Sequence, residues 1–181
     1  MGVQIKGLDS LNSKLKRIPK TLENATWDAT FEITEEVQSR ATAKLQSSIK
    51  HGSGELAGSL KNEVLVNKNG HVVGRVWSDN PNLLFRELGT GQVGENSPKD
   101  LPEGINPVYT QTPWFIPADA VDVDLEAVYG MVKINIQGKD YYRTNGQPAR
   151  PSLYPALKEG VENYEEVYKK YVKQGLREEL K

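Results

Sequence analysis

From about residue 20 to residue 50 the chain contains neither Gly nor Pro, while Leu22, Ala25, Ala29, Ile33, Val37, Ala41, Leu45 and Ile49 recur at steps of three and four. That period belongs to one face of an α-helix, so the spacing predicts a single amphipathic helix of about eight turns, roughly 45 Å long. A rod of that length obliges the rest of the chain to pack along it. Trp27 and Phe31 lie four residues apart and off the stripe. Two readings stand for them: a wide core face, or a subunit contact made by exposed rings at helical spacing.

Ahead of this helix, residues 7–18 read as a short amphipathic segment capped by Asp9 or Ser10, with Leu8, Leu11 and Leu15 on one face and Lys14, Lys16, Arg17 and Lys20 opposite; Pro19 is expected to separate it from the long helix. After it, His51-Gly52-Ser53-Gly54 breaks the period and Glu55–Leu60 makes a short helical turn. Residues 62–78 read as an antiparallel hairpin around Asn69-Gly70, because a type I′ turn needs positive φ at both central positions.

The middle of the chain turns on Asn82-Leu83-Leu84-Phe85-Arg86-Glu87-Leu88-Gly89-Thr90-Gly91. Asn80 is a helix cap and Pro81 fits the first helical position, so a short apolar helix runs to the glycines and stops there. Glu87 is read as structural, holding loop N–H groups, rather than as a catalytic acid. Residues 92–113 read as a long loop, with Val108-Tyr109-Thr110 a brief strand. Trp114-Phe115-Ile116, between Pro113 and Pro117, is a rigid apolar projection: a satellite core or a partner contact. Asp119, Asp122, Asp124 and Glu126 lack the spacing of a calcium loop and read as a capped, acidic helix start. Val132, Ile134 and Ile136 alternate with polar residues, which predicts a strand with one buried face, turned at Gly138 onto Asp140–Thr144. Residues 152–180 read as a second long helix, weakened at Gly160 and frayed past Gly175.

The expected fold is therefore α+β: two long amphipathic helices on a twisted antiparallel sheet built from hairpins, in one domain over residues 1–181 with a loop-rich insertion at about 92–130. Composition limits function. With 37% hydrophobic and 26% charged residues the 181-residue chain can bury a core, and a net charge of −1 gives no broad attraction for nucleic-acid phosphates. No cysteine supplies a disulfide or thiolate ligand, and two histidines are too few for a histidine-built metal site. No apolar run reaches the roughly 20 residues of a membrane span. The expectation is a non-enzymatic protein without cofactor, metal or membrane partner.

Four segments in order, Gly7-Leu8-Asp9-x-Leu11, Ser53-Gly54-x-Leu56-x-x-Ser59-Leu60, Phe85-x-Glu87-x-Gly89-Thr90, and Gln147-Pro148-Ala149-Arg150-Pro151-x-Leu153-x-Pro155-Ala156-Leu157, together resemble the neck proteins, the head-tail joining and tail-completion family of long-tailed bacteriophages. The chain departs from that pattern at Arg86, where an apolar residue is usual, at Ser53 for threonine and at Leu153 for an aromatic. The resemblance implies a ring subunit, a hexamer among the arrangements, in the virion neck and, during assembly, in the host cytoplasm. Its implied partners are copies of itself, the connector or stopper protein, and the tail or tail terminator protein. Tail terminator and connector stopper are alternative positions; an acid-dependent enzyme using Glu87 with Asp119 or Asp122 is a weaker alternative. Nucleic acid would be met only along an assembled lumen. The candidate contact residues are Trp114, Phe115, Phe85, Glu87, Arg86, Arg150, Lys14 and Arg17.

Overall fold

The computed structural model describes residues 6–47 and 54–181. The class is α+β, as expected, but the strands form two antiparallel sheets, one of two strands and one of three, the latter in the order 114–117, 139–144, 132–136. The chain divides into two compact units, Met1–Asp79 with Pro155–Lys181, and Asn80–Tyr154. The reason is topological, since the chain leaves the first unit at Asp79 and closes a separate core before it returns at Pro155.

In the first unit, α1 runs unbroken from Leu8 to Ser47, 40 residues, with Pro19 inside it. The expected break at Pro19 is absent. Proline in a helix interior costs about 3 kcal/mol through a lost N–H and a ring clash, so outside contacts must hold the turn. Lys14 Nζ donates to the Leu180 carbonyl at 3.0 Å, and Arg17 pairs with Glu179 at 2.6 Å, just before the proline. Both partners belong to α7, Tyr164–Leu180, which lies antiparallel to α1. Of the expected stripe of α1, Ala25, Ala29, Val37, Ala41 and Leu45 are buried, Ile33 is half-buried, Leu22 is exposed and Ile49 lies outside the described residues. Trp27 and Phe31 remain 40% and 44% exposed, so they do not widen the core.

Small side chains let the elements of this unit close on α1. A Cβ at Gly74 would sit 2.0 Å from Thr34 Oγ1, and one at Gly160 would sit 2.5 Å from Val37 Cγ2. Thr30 and Thr34 are buried and turn their hydroxyls onto the carbonyls of Thr26 and Thr30 at 2.7 and 2.6 Å, which leaves no unsatisfied donor beneath the sheet. The expected second long helix is two helices, α6 (Leu153–Gly160) and α7. Gly160 ends the first in contact with Val37, whereas the end of α7 is pinned by Lys14 and Arg17 instead of fraying past Gly175.

Next come α2 (Glu55–Gly58), in the expected place, and a hairpin of β1 (Lys61–Val66) and β2 (Val72–Trp77). His51, Gly52 and Ser53 lie outside the described residues. The hairpin turn is not the expected type I′, because only Gly70 there has positive φ, at 80°. Instead Gly70 N–H donates to the Asn67 carbonyl, and Asn67 Oδ1 accepts from the N–H groups of Asn69 and His71. The asparagine that shapes the turn precedes Asn69-Gly70.

The second unit holds α3 (Asn82–Leu88), α4 (Gly91–Asn96), β3 (Trp114–Pro117), a 3-10 turn (Ala118–Ala120), α5 (Leu125–Tyr129), β4 (Val132–Ile136) and β5 (Lys139–Thr144). Asn80 Oδ1 accepts from Asn82 N–H at 3.0 Å, so Asn80 caps α3 as expected. Helix α4 occupies part of what read as loop. Val108–Thr110 forms no strand; Val108 is wholly exposed while the Tyr109 hydroxyl donates to the Leu88 carbonyl. The type I′ geometry occurs at Gln137-Gly138, φ 51° and 83°, joining β4 to β5. Central strand β5 delivers Tyr142, 3% exposed, whose hydroxyl donates to Asp124, the cap of α5.

Replacing Gly74 with Ala drives a methyl into Thr34, and overpacking of this kind costs about 1–3 kcal/mol. Urea denaturation should show that loss, and Thr34→Ala added to it should recover part. A Gly74→Ala protein as stable as the parent would contradict the packing of the hairpin on α1.

Candidate interaction surface

Two of the sequence segments singled out above meet in the second unit, their paired residues 57 or more positions apart. Thr90 N–H donates to the Gln147 carbonyl at 2.9 Å and Gln147 N–H returns to the Thr90 carbonyl and hydroxyl at 3.2 and 3.1 Å. Arg150 N–H reaches the Arg86 carbonyl at 2.8 Å, and Gln147 Nε2 reaches the Phe85 carbonyl at 3.1 Å. Side chains cannot enter between the two strands of this clasp: a Cβ at Gly146 would lie 1.8 Å from the Thr90 carbonyl oxygen, and φ there is 110°. Gly89 and Thr90 of the first segment are thus matched to Gln147 of the second and to Gly146 just before it by backbone distance.

Glu87 closes the clasp. Its Oε1 accepts from the N–H groups of Ser152 and Leu153 at 2.7 and 3.0 Å and from the Ser152 hydroxyl, at the start of α6. Ser152 is 1% exposed, so its two donors have no water to turn to. A carboxylate beside the free N–H groups of a helix start is favoured by charge as well as by hydrogen bonding. The sequence reading of Glu87 as a holder of loop N–H groups therefore describes its geometry.

The remaining candidates are dispersed. Phe85 is 48% exposed and shares with Trp114 a cavity of about 490 Å³, rimmed by Thr90, Thr110 and Thr112. Trp114 is half-buried against Gly91. Phe115 points the other way and is 46% exposed, since neighbouring residues of a strand face opposite sides. The expected rigid aromatic projection is thus divided by the strand into one packed ring and one presented ring. Arg86 is half-buried near Arg150, and burial first, then the Arg150 cation, lower its pKa from the ordinary arginine value. Lys14 and Arg17, in the first unit, are turned onto α7.

Sequence reasoning expected β4 to bury its apolar row, but only Ile134 of that row is even half-buried. Val132 and Ile136 are 59% and 40% exposed. By register they share a face with Tyr141 and Arg143 of β5 and Phe115 of β3. The opposite face is filled by Tyr142, Thr144, Trp114 and Ile116, and Lys133 and Asn135 of β4 reach Asp140 from that side. The period was legible; which side met the core was decided by the aromatic residues of the neighbouring strands. The result is an outer sheet face on which Phe115 and Val132 flank a cation, Arg143, on the central strand.

Among the described residues no group of three or more His, Cys, Asp or Glu is placed to hold a metal ion, and no helix is long and apolar enough to cross a membrane. No family model, curated protein or solved structure matches the chain.

Loss of the Glu87 carboxylate strands buried donors, at about 1–3 kcal/mol for each group left unsatisfied. Glu87→Ala should lower the free energy of unfolding by on the order of 3 kcal/mol, and Glu87→Gln, which keeps one acceptor, by less. Equal stability of all three proteins in urea would contradict the assignment.

Proposed function

We propose that the protein is a non-enzymatic structural subunit of a long-tailed bacteriophage, acting at the head-tail interface as a member of a ring that joins connector to tail. The observation that carries this reading is the outer face of the three-stranded sheet. Phe115, Val132 and Ile136 are displayed there on a rigid, hydrogen-bonded support. A ring requires heterologous contacts, in which one patch of a subunit meets a different patch of the next. Rigid aromatic and aliphatic groups on a sheet suit that task, because little conformational entropy is lost when they are covered. The order of the four sequence segments supplies the position in the virion, and two of them supply the clasp that supports the sheet.

Its partners on this reading are copies of itself, the connector or stopper, and the tail or its terminator protein. The same surface serves a tail terminator or a connector stopper, which differ in what they touch rather than in how they are built. The acid-dependent enzyme finds little support, as Glu87 Oε1 is occupied by three donors of its own chain. A nucleic-acid lumen built from Lys14, Lys16 and Arg17 finds less support, because α7 engages Lys14 and Arg17, two of these three cations, while Lys16 is exposed.

Deletion of the gene in a phage that carries it should give DNA-filled heads beside separate tails of normal length, joined on adding back the purified protein. A protein carrying Phe115→Ser and Val132→Ser should keep its circular dichroism and melting temperature yet fail to join them. Overlong tails in the deletion would move the protein to the terminator, leaking heads would move it to the connector, and normal infectious particles would overturn the structural role.

A further inference from the structure

The first unit carries a second unpartnered surface, on a different part of the chain from the sheet face. Leu8, Leu11, Leu15, Ile18 and Leu22 follow the three-four spacing of a coiled-coil seam along the first half of α1. Four of these are exposed, Leu8, Leu11 and Leu15 by 48–49% and Leu22 by 36%. Farther along the same seam Ala25 and Ala29 are buried, so the seam is covered in its middle and open toward its start.

Helix α7 lies beside the open half. Arg17 meets Glu179, Lys14 meets Leu180, and Thr21 lies against Gly175, which sets α1 and α7 antiparallel here. One side of this helix pair is polar, a cavity of about 610 Å³ lined by Lys14, Arg17, Asn24, Asp28, Gln174 and Glu178 among others. At 100° per residue, the aliphatic rows of both helices fall on the other side: the α1 seam and, on α7, Val172, Leu176 and Leu180. The α7 row is bordered by Lys169, Lys173, Arg177 and Lys181, one cation for every turn, all exposed. Lys169 pairs with Glu165, whereas Lys173, Arg177 and Lys181 have no ion-pair partner among the described residues. Two parallel rows of half-covered aliphatics with a cationic border are two sides of a three-helix packing.

We infer that this groove takes an amphipathic helix of another protein, with leucine-like residues at three-four spacing and carboxylates along the edge that meets α7. Charge selects this occupant. A second copy of the chain would bring its own cationic border, with Lys16 on the α1 side, to a surface that already carries four cations, and like charges brought together across an interface oppose docking. An acidic helix instead pairs each turn of the border while its apolar row fills the seam, the usual mode of helix-in-groove recognition. The inference stands apart from the neck reading and concerns whichever partner presents such a helix.

The test uses the full-length protein and a fluorescein-labelled synthetic peptide of about three heptads, with Leu at a and d and Glu at the flanking positions. A control peptide carries Lys in place of Glu. Fluorescence anisotropy should show the Glu peptide binding at least tenfold more tightly than the Lys peptide, with affinity falling as salt rises. K173E with R177E should abolish or reverse that preference, and Leu11→Ser should weaken both peptides while circular dichroism stays that of the parent. Equal binding of the two peptides, or unchanged preference in K173E/R177E, overturns the inference. So does sedimentation showing a dimer that Leu11→Ser dissociates, which assigns the groove to a second copy. Tight binding to vesicles of equal parts phosphatidylglycerol and phosphatidylcholine, lost in K173E/R177E, with no peptide binding, would overturn it in favour of an anionic lipid surface.

Discussion

The Glu87 carboxylate and the backbone ladder next to it hold the second unit together. One oxygen gathers three donors at the start of α6, and the exchange between Thr90 and Gln147 closes the loop that the carboxylate anchors. The strands between these points, β3, β4 and β5, owe their closed circuit to that clasp. Tyr142, deep in the same unit, is positioned by the ladder on either side of it and by Asp124. The glycines of the clasp follow from backbone proximity: at Gly146 no side chain fits between the two segments.

The first unit solves a different problem. A forty-residue helix has more apolar surface than one neighbour can cover, and the chain returns to it with α2, the β1-β2 hairpin, α6 and α7. Alanine, threonine and glycine at the crossings bring backbones close, so the core is thin in large side chains; Leu45 is the largest apolar residue that is fully buried. Close packing of small residues gains contact but little apolar area. Larger apolar groups are consequently left at the surface, Trp27, Phe31 and the leucines of the opening turns among them.

Much of this was legible in the sequence, and the exceptions share a cause. Periodicity gave α1 its buried face, Asn80-Pro81 gave the start of α3, and the alternation at residues 132–136 gave β4, because each depends on neighbours in the chain. Pro19 did not end its helix, since Lys14 and Arg17 find partners on α7, some 160 residues away. The row Val132, Ile134 and Ile136 was assigned to the core because it is apolar, yet only Ile134 is half-buried, and the opposite face of the sheet carries the buried Tyr142. Glu87 could be read as a holder of N–H groups, but its donors, Ser152 and Leu153, could not be named without the fold. Trp114 and Phe115 looked like one anchor and are two opposite faces.

The protein presents apolar surface from hydrogen-bonded supports, one on a sheet and one on a helix pair, and the proposed neck role would use such surface. That account depends on the second unit being a closed body rather than a string of loops. Amide hydrogen exchange tests this most directly. The account predicts that the amides of Thr90, Gln147, Ser152 and Leu153 exchange together with that of Tyr142, through one cooperative opening. Exchange of those four amides as fast as that of the exposed residues around Gly104, while Tyr142 stays protected, would contradict it.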